Sequence, residues 1–345
     1  MQSIHAKNQQ PRMQTLCKCK PKPGLNLCHK DIPIPKSNEV LIKVLKTGIC
    51  GTDLSLYNYT PWAKSVLSLP QTIGHEFVGK IVKIGSKVTT QKTNNIVSAE
   101  AHLFCKKCDQ CANKNYHLCP NTKGLGIHTN GAMAEFVCVP ESNLWACPHI
   151  DPKIMAFADA LGNALYATSR TDIYNQDILI TGAGPIGLAT MMLCLFLKAN
   201  SVTIIEPNTY RQKLAKKLGA TQIASPKTRL KKPKKGWNIG FEMSGKTSAL
   251  EKLVKNLNPG SQIIIMGILP NQSQINWPSL IFKNLNIHCL YGREIFKTWQ
   301  QLDHYLSQGF NPLPLVTHEF AAKDYQKAFS LMASGNCGKI LLNWN

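Results

Sequence analysis

Ile178-Leu179-Ile180-Thr181-Gly182-Ala183-Gly184-Pro185-Ile186-Gly187 is the stretch that decides how this chain is built. The apolar run Ile178–Ile180 reads as a short buried strand. Gly182, Gly184 and Gly187 form G-x-G-x-x-G around Pro185 and Ile186, and an apolar helix follows to about Leu197. A strand that turns through such glycines into a helix suits a dinucleotide. The first glycine permits the turn, the second lets backbone approach a pyrophosphate, and the third lets helix and strand pack closely. Phosphate then lies at the helix N-terminus, where unpaired N–H groups point. The next apolar run, Ser201–Ile205, ends at Glu206, nineteen residues beyond Gly187. A carboxylate there accepts hydrogen bonds from the adenosine ribose and repels a 2′-phosphate, so NAD is expected over NADP.

Outward from this motif the texture differs on the two sides. Toward the C-terminus come a Lys-rich amphipathic segment to Leu218-Gly219 and strand-like runs at Ile239–Glu242 and Gln262–Met266. That alternation predicts an α/β fold with a doubly wound parallel sheet. Toward the N-terminus, Val40–Val44 and Phe77–Ile84 read as strands among many Gly, Pro and Asn residues, predicting an irregular β-rich region. The change falls near residue 165, mixed helix and strand return near residue 300, and residues 1–12 read as an unpatterned, disordered extension. The length of 345 residues suits two domains.

Bulk composition narrows the function classes. No apolar run is long enough to cross a bilayer, and the N-terminal segment lacks a secretory apolar core, so a cytoplasmic protein without membrane association is expected. Lys and Arg number 40 against 19 Asp and Glu, a formal net charge of +21. The lysines are dispersed and no aromatic–basic repeat accompanies them, so nucleic acid is not the expected partner. The densest run, Arg229–Lys235, contains Pro and reads as a solvated loop.

The 13 cysteines are an odd number in a chain without an export signal, which argues against a disulfide scaffold. Four of them, Cys105, Cys108, Cys111 and Cys119, follow C-x2-C-x2-C-x7-C. Four thiolates so close can surround Zn²⁺ with no open position, a site that staples a loop; an iron–sulfur cluster is the competing assignment. A second constellation is Cys50-Gly51-Thr52-Asp53 with Gly74-His75-Glu76. A catalytic zinc takes about three protein ligands and keeps one exchangeable position. Cys50 and His75 are the first two candidates, Glu76 either ligates or orients from behind, and Asp159, just before Gly162-Asn163-Ala164, is a further carboxylate.

These motifs together resemble the zinc-containing medium-chain alcohol dehydrogenases, from about residue 13 to the C-terminus. Ile49–Asp53, Tyr57-Asn58 with Trp62, Leu161–Ala164, Glu242-Met243-Ser244-Gly245, Tyr291-Gly292-Arg293-Glu294 and Thr298-Trp299 resemble most the threonine dehydrogenase branch. The resemblance implies a GroES-like β-rich catalytic domain (13–164 and 300–345) and a Rossmann domain (165–299). It implies oxidation of L-threonine to 2-amino-3-oxobutanoate by NAD, two zinc ions per subunit and a homotetramer. By the same resemblance Cys50, His75, Glu76 and Asp159 hold the catalytic zinc, Thr52 relays the released proton and His102 faces the substrate. Arg211 helps hold the adenosine ribose, while Gly267, Ile268, Tyr291 and Gly292 belong with the cofactor residues. Another polyol or secondary-alcohol dehydrogenase, and a non-catalytic member with a binding role, are the rival expectations.

The chain departs from the family pattern in places. Ser55 stands where the family's relay usually has His, and Asn94-Asn95 replaces a Gly-Asp turn before the strand at Val97. A glycine common late in the fingerprint helix is replaced near Lys198, and the stretch between Ile223 and Trp237 is short and basic. No metal or fingerprint residue is lost.

Overall fold

A computed structural model describes residues 10–344. Its centre is a six-stranded sheet in the order Gln222–Ala224, Ser201–Ile205, Asp177–Thr181, Trp237–Glu242, Leu257–Ile265, Asn286–Cys289, with every pairing parallel. The first strand in the chain thus lies at the middle, where the strand order reverses and a crevice opens at the strand ends. Ile178, Leu179 and Ile180 are all fully buried because helices cover both faces. Ile178 and Ile180 pack into the cluster that includes the fingerprint helix Pro185–Phe196, whereas Leu179 joins Leu250, Leu253 and Val254 of the helix Thr247–Asn256. The Lys-rich segment is the helix Thr209–Lys217, and Arg229–Lys235 is a loop with mostly exposed side chains.

The other large sheet has seven strands, and both halves of the chain supply them. Glu39–Gly48 pairs antiparallel with Glu76–Ile84 on one edge, and with Lys339–Asn343 and Phe136–Pro140 elsewhere. Val316–Ala321 then pairs parallel with Lys339–Asn343. A smaller three-stranded sheet joins Asn26–Asp31, Arg12–Lys18 and Gln71–Thr72.

The expected extension over residues 1–12 meets the structure only at its end, since residues 1–9 lie outside the described residues. Arg12 already opens a strand, and Ile32 ties the preceding residues down: its N–H donates to the Pro11 carbonyl at 2.9 Å and its own carbonyl accepts from Gln10 Nε2 at 3.0 Å. Residues 10–12 are therefore held in place although their sequence lacks pattern, because a strand edge supplies partners that composition does not reveal. The helix Ala158–Thr168 runs through the position where the sequence texture changes, and packs on both the fingerprint helix and the helix Lys297–Ser307. No helix among the described residues is long and apolar enough to cross a membrane.

Candidate active site and metal centres

The glycine turn has the geometry that its sequence suggested. Gly182 has φ +94°, and a side chain there would crowd the Ser244 backbone. A Cβ on Gly187 would strike the Gly182 carbonyl, so helix and strand can approach only at a glycine. Gly184 caps the helix N-terminus, and a Cβ there would meet no protein atom within 4 Å. That open side faces a cleft of about 440 Å³, bordered by Gly182, Gly184, Glu206, Arg211, Ser244 and Lys246. An anionic dinucleotide fits this cradle.

Glu206 is buried and tied to the glycine turn: its carboxylate accepts from the Ala183 N–H at 2.6 Å and from the Asn208 N–H at 2.8 Å. Arg211 begins one turn later, its N–H capped by Asn208 Oδ1 at 3.0 Å and its Nε donating to the Cys337 carbonyl at 3.4 Å. Across the crevice the buried Glu242 carboxylate accepts from the N–H groups of Ser244 and Gly245, which fixes the turn facing Gly182.

The four-cysteine lobe closes on itself. The sulfurs of Cys105, Cys108, Cys111 and Cys119 lie within 4.8 Å of one another, on a loop with two short helical segments, Asp109–Ala112 and Tyr116–Leu118. Lys106 and Lys114 take left-handed backbone conformations that bend the loop around the sulfurs. The Lys107 N–H, foremost, brings the Cys105 thiol down to about 6, whereas burial pushes Cys111 up to about 12. Among the described residues no histidine or carboxylate joins this group. Four sulfurs and no oxygen suit a closed tetrahedral zinc.

Cys50, His75 and Glu76 also place one donor atom each within 4.8 Å of the others. Cys50 caps the helix Gly51–Asn58, and its N–H donates to Asp53 Oδ2 at 2.8 Å. The other Asp53 oxygen lies 3.7 Å from His75 Nδ1, so Asp53 orients the imidazole from behind. Glu76 begins the strand Glu76–Ile84, fully buried, with the buried Lys339 ammonium as its ion-pair partner. Lys339 also donates to the Ile49 carbonyl at 3.0 Å. Burial would lower the Lys339 pKa, but Glu76 and Cys50 hold it above the ordinary value. Burial likewise opposes a charged His75, yet Asp53, Cys50 and Asp159 together raise it. That crowded negative field, with buried Asp53 Oδ1 lacking a hydrogen bond, fits a cation held among these donors.

Asp159 borders the same cleft without joining this donor group. Arg293 donates to its Oδ1 at 2.9 Å from Nη2 and 3.2 Å from Nε. The other arm of Arg293 donates to Glu100 at 2.5 Å, and its plane lies 4.2 Å from the Trp299 ring centroid. Burial would raise the Asp159 pKa, but Arg293, then His75 and His102, hold it down to about 2. Gly162 makes room for this guanidinium, since a Cβ there would strike Arg293 Cδ.

The cleft itself is about 260 Å³, with Cys50, His75, Thr52 and Trp62 on one side and Ile186, Ile268 and Tyr291 on the other. His102 and Gly292 also line it, while Gly267 sits one residue behind, its N–H bonded to the Glu242 carbonyl at 3.1 Å. Burial lowers the His102 pKa to about 4, helped by Arg293 and His75 against Asp159, so its imidazole is neutral near pH 7. Ser55 lies one helical turn beyond Thr52 and does not line the cleft. Tyr57, grouped with Trp62 by resemblance, instead stacks on Phe329 at 4.9 Å and stays out of the cleft. Glu100 and Lys339 carried no signal in the sequence, and Asp53 and Arg293 appeared there only as parts of motifs.

Residues 36–149 match the alcohol dehydrogenase GroES-like domain family, and residues 185–308 match the zinc-binding dehydrogenase family. The chain is 39% identical over 340 residues to an L-threonine 3-dehydrogenase of Xanthomonas campestris pv. campestris, covering 96% of this chain and all of that protein. It is 40% identical to an L-threonine 3-dehydrogenase of Coxiella burnetii, covering 96% of this chain and 99% of that one. A zinc-binding dehydrogenase of Sinorhizobium meliloti, solved bound to NADP, superposes with TM-score 0.88 at 24% identity, covering 97% of this chain and 100% of that chain. With a GroES-like region, a doubly wound parallel sheet and donor sets suited to zinc, the chain belongs to the zinc-dependent medium-chain alcohol dehydrogenases, oxidoreductases that use a nicotinamide cofactor.

Proposed function

We propose that this chain oxidises L-threonine to 2-amino-3-oxobutanoate with NAD. One observation supports it above the others: Cys50 and His75, whose donor atoms group with that of buried Glu76, line a single small cleft with Ile186 and Ile268, residues from the dinucleotide side. Identity of 39% over 96% of the chain to an L-threonine 3-dehydrogenase supports threonine as the substrate. When bound, zinc supplies Lewis-acid polarisation of the substrate hydroxyl and the nicotinamide supplies the hydride acceptor.

Cys50 and His75 would hold the metal, with Glu76, and Asp159 on release from Arg293, as carboxylates that exchange with substrate. Cys105, Cys108, Cys111 and Cys119 would hold the second zinc. Thr52 relays the hydroxyl proton toward water, and neutral His102 hydrogen-bonds the substrate without adding charge. Trp62 narrows the mouth and excludes water, which strengthens each electrostatic contact inside. Gly182, Gly184, Pro185, Ile186 and Gly187 cradle the pyrophosphate, Glu206 and Arg211 hold the adenosine ribose, and Gly267, Ile268, Tyr291 and Gly292 flank the nicotinamide. The working form would be a homotetramer, each subunit divided between residues 13–164 with 300–345 and residues 165–299.

NADH formation by zinc-loaded protein across L-threonine, 2,3-butanediol, sorbitol and glycerol tests the substrate. A site that pairs the polar groups of threonine rejects analogues lacking them by roughly 10⁴-fold in good cases. Equal rates with butanediol would overturn the threonine reading and leave the family chemistry standing. On the cofactor, NAD should exceed NADP, and Glu206→Ser should narrow the gap by about tenfold to a hundredfold, the worth of one charged contact. Wild-type preference for NADP would refute the role given to Glu206.

A further inference from the structure

Cys17, Cys19 and Cys28 form a third cluster, far along the chain from both metal motifs. Cys17 lies on the strand Arg12–Lys18, and Cys28 on its antiparallel neighbour Asn26–Asp31. Cys28 stands opposite Thr15, so Cys17, two residues on, projects from the same face, and Cys19 continues that alternation. The three sulfurs lie within 4.8 Å of one another, and Cys19 and Cys28 are 3.5 Å apart. The four-cysteine lobe meets the same 4.8 Å limit, with Cys108 and Cys119 at 3.8 Å. Sulfurs held about 2.3 Å from one tetrahedral ion stand roughly 3.8 Å apart, so both clusters are spaced for a shared cation.

We infer that Cys17, Cys19 and Cys28 form a three-thiolate site for a soft monovalent cation, Cu(I). The donor set favours it over zinc. Among the described residues no histidine, aspartate or glutamate completes the group, whereas a structural zinc is closed by four protein ligands. Soft thiolates select Cu(I), which accepts three of them. Thr72 Oγ1 lies 3.4 Å from Cys17 Sγ and accepts from Lys30 Nζ at 3.0 Å, bringing a cation beside the charge that binding creates. Cys17 is buried while Cys19 and Cys28 are partly exposed, which leaves a way in. Burial, foremost, pushes the Cys28 thiol up to about 12. Binding exchanges up to three S–H protons for one Cu(I), with no change of oxidation state.

The test uses the full, zinc-loaded, reduced chain under argon, titrated with Cu(I) against bicinchoninate. Wild-type protein should take one Cu(I) while its zinc content stays constant. Cys19→Ser should weaken that uptake by roughly tenfold or more, and Cys138→Ser, remote from the cluster, should leave it unchanged. Should Cys19→Ser fold poorly, protection of Cys19 and Cys28 from iodoacetamide by one equivalent of Cu(I), read by peptide mass, decides the matter in wild-type protein. No uptake, uptake only with loss of zinc, or full alkylation in the presence of Cu(I) would each overturn the assignment. So would a Cys19–Cys28 disulfide formed in air by protein that takes no Cu(I) when reduced, which would make the pair a redox couple.

Discussion

The four-cysteine lobe and the Cys50–His75–Glu76 group are both candidate zinc sites, yet they are built on opposite plans. The lobe takes every donor from fifteen consecutive residues on a loop, and its surroundings matter little. The second group gathers donors from two segments and is braced by charges, Asp53 behind His75 and Lys339 behind Glu76, with Arg293 on the neighbouring Asp159. A site that only staples can be local and saturated. A site that must bind, release and polarise needs donors free to exchange, held by partners that do not move. The lobe is therefore expected to govern folding, and the cleft group to govern chemistry.

The sharpest way to break that contrast is to remove one thiol from each. Cys50→Ala should abolish threonine-dependent NADH formation, with far-UV circular dichroism unchanged and one zinc retained. Cys108→Ala should instead lower the thermal midpoint and drive aggregation, because structural zinc binding is folding free energy. Elemental analysis beside a melting curve checks both, and active, well-folded protein without zinc would erase the distinction.

Next in size is the brace behind the cleft. Arg293→Met leaves Glu100 and Asp159 buried without their shared cation, which costs about 3–5 kcal/mol in denaturant unfolding. The loss should depend on pH with a definite sign. Asp159 is held near 2, below its ordinary value of 3.8, so its contribution is present above about pH 4 and fades as pH falls toward 2. In Arg293→Met that acid-limb contribution should vanish, and an unchanged acid limb would show that Arg293 does not hold Asp159.

The smallest expected effect concerns the path of the proton. Ser55 lies one turn beyond Thr52, where a hydroxyl can pass a proton along water but cannot store one near neutral pH. His102, held near 4, is no substitute store. Ser55→His should raise kcat near pH 7 and flatten the pH–rate profile, by well under the roughly 10²-fold of a complete acid–base relay. A large isotope effect with deuterated substrate, combined with an unchanged profile in Ser55→His, would dismiss this route.

The local patterns were legible in the amino-acid order itself. The glycine turn, the apolar runs of the parallel sheet, the four-cysteine spacing and the Cys50 and His75 motifs each act over a few residues, where backbone sterics and metal geometry leave few alternatives. Glu206 was legible as an acid at a strand end, though not its two bonds to the Ala183 and Asn208 N–H groups. Only the tertiary structure decided which distant charge answers each buried carboxylate. Lys339 reaches Glu76 from the far end of the chain, Arg293 joins Glu100 to Asp159, and Tyr57 turns from the cleft to Phe329. Nothing in the neighbourhood of a lone Lys or Arg marks its partner. Desolvation compels a buried charge to be paired, but packing alone selects the pair.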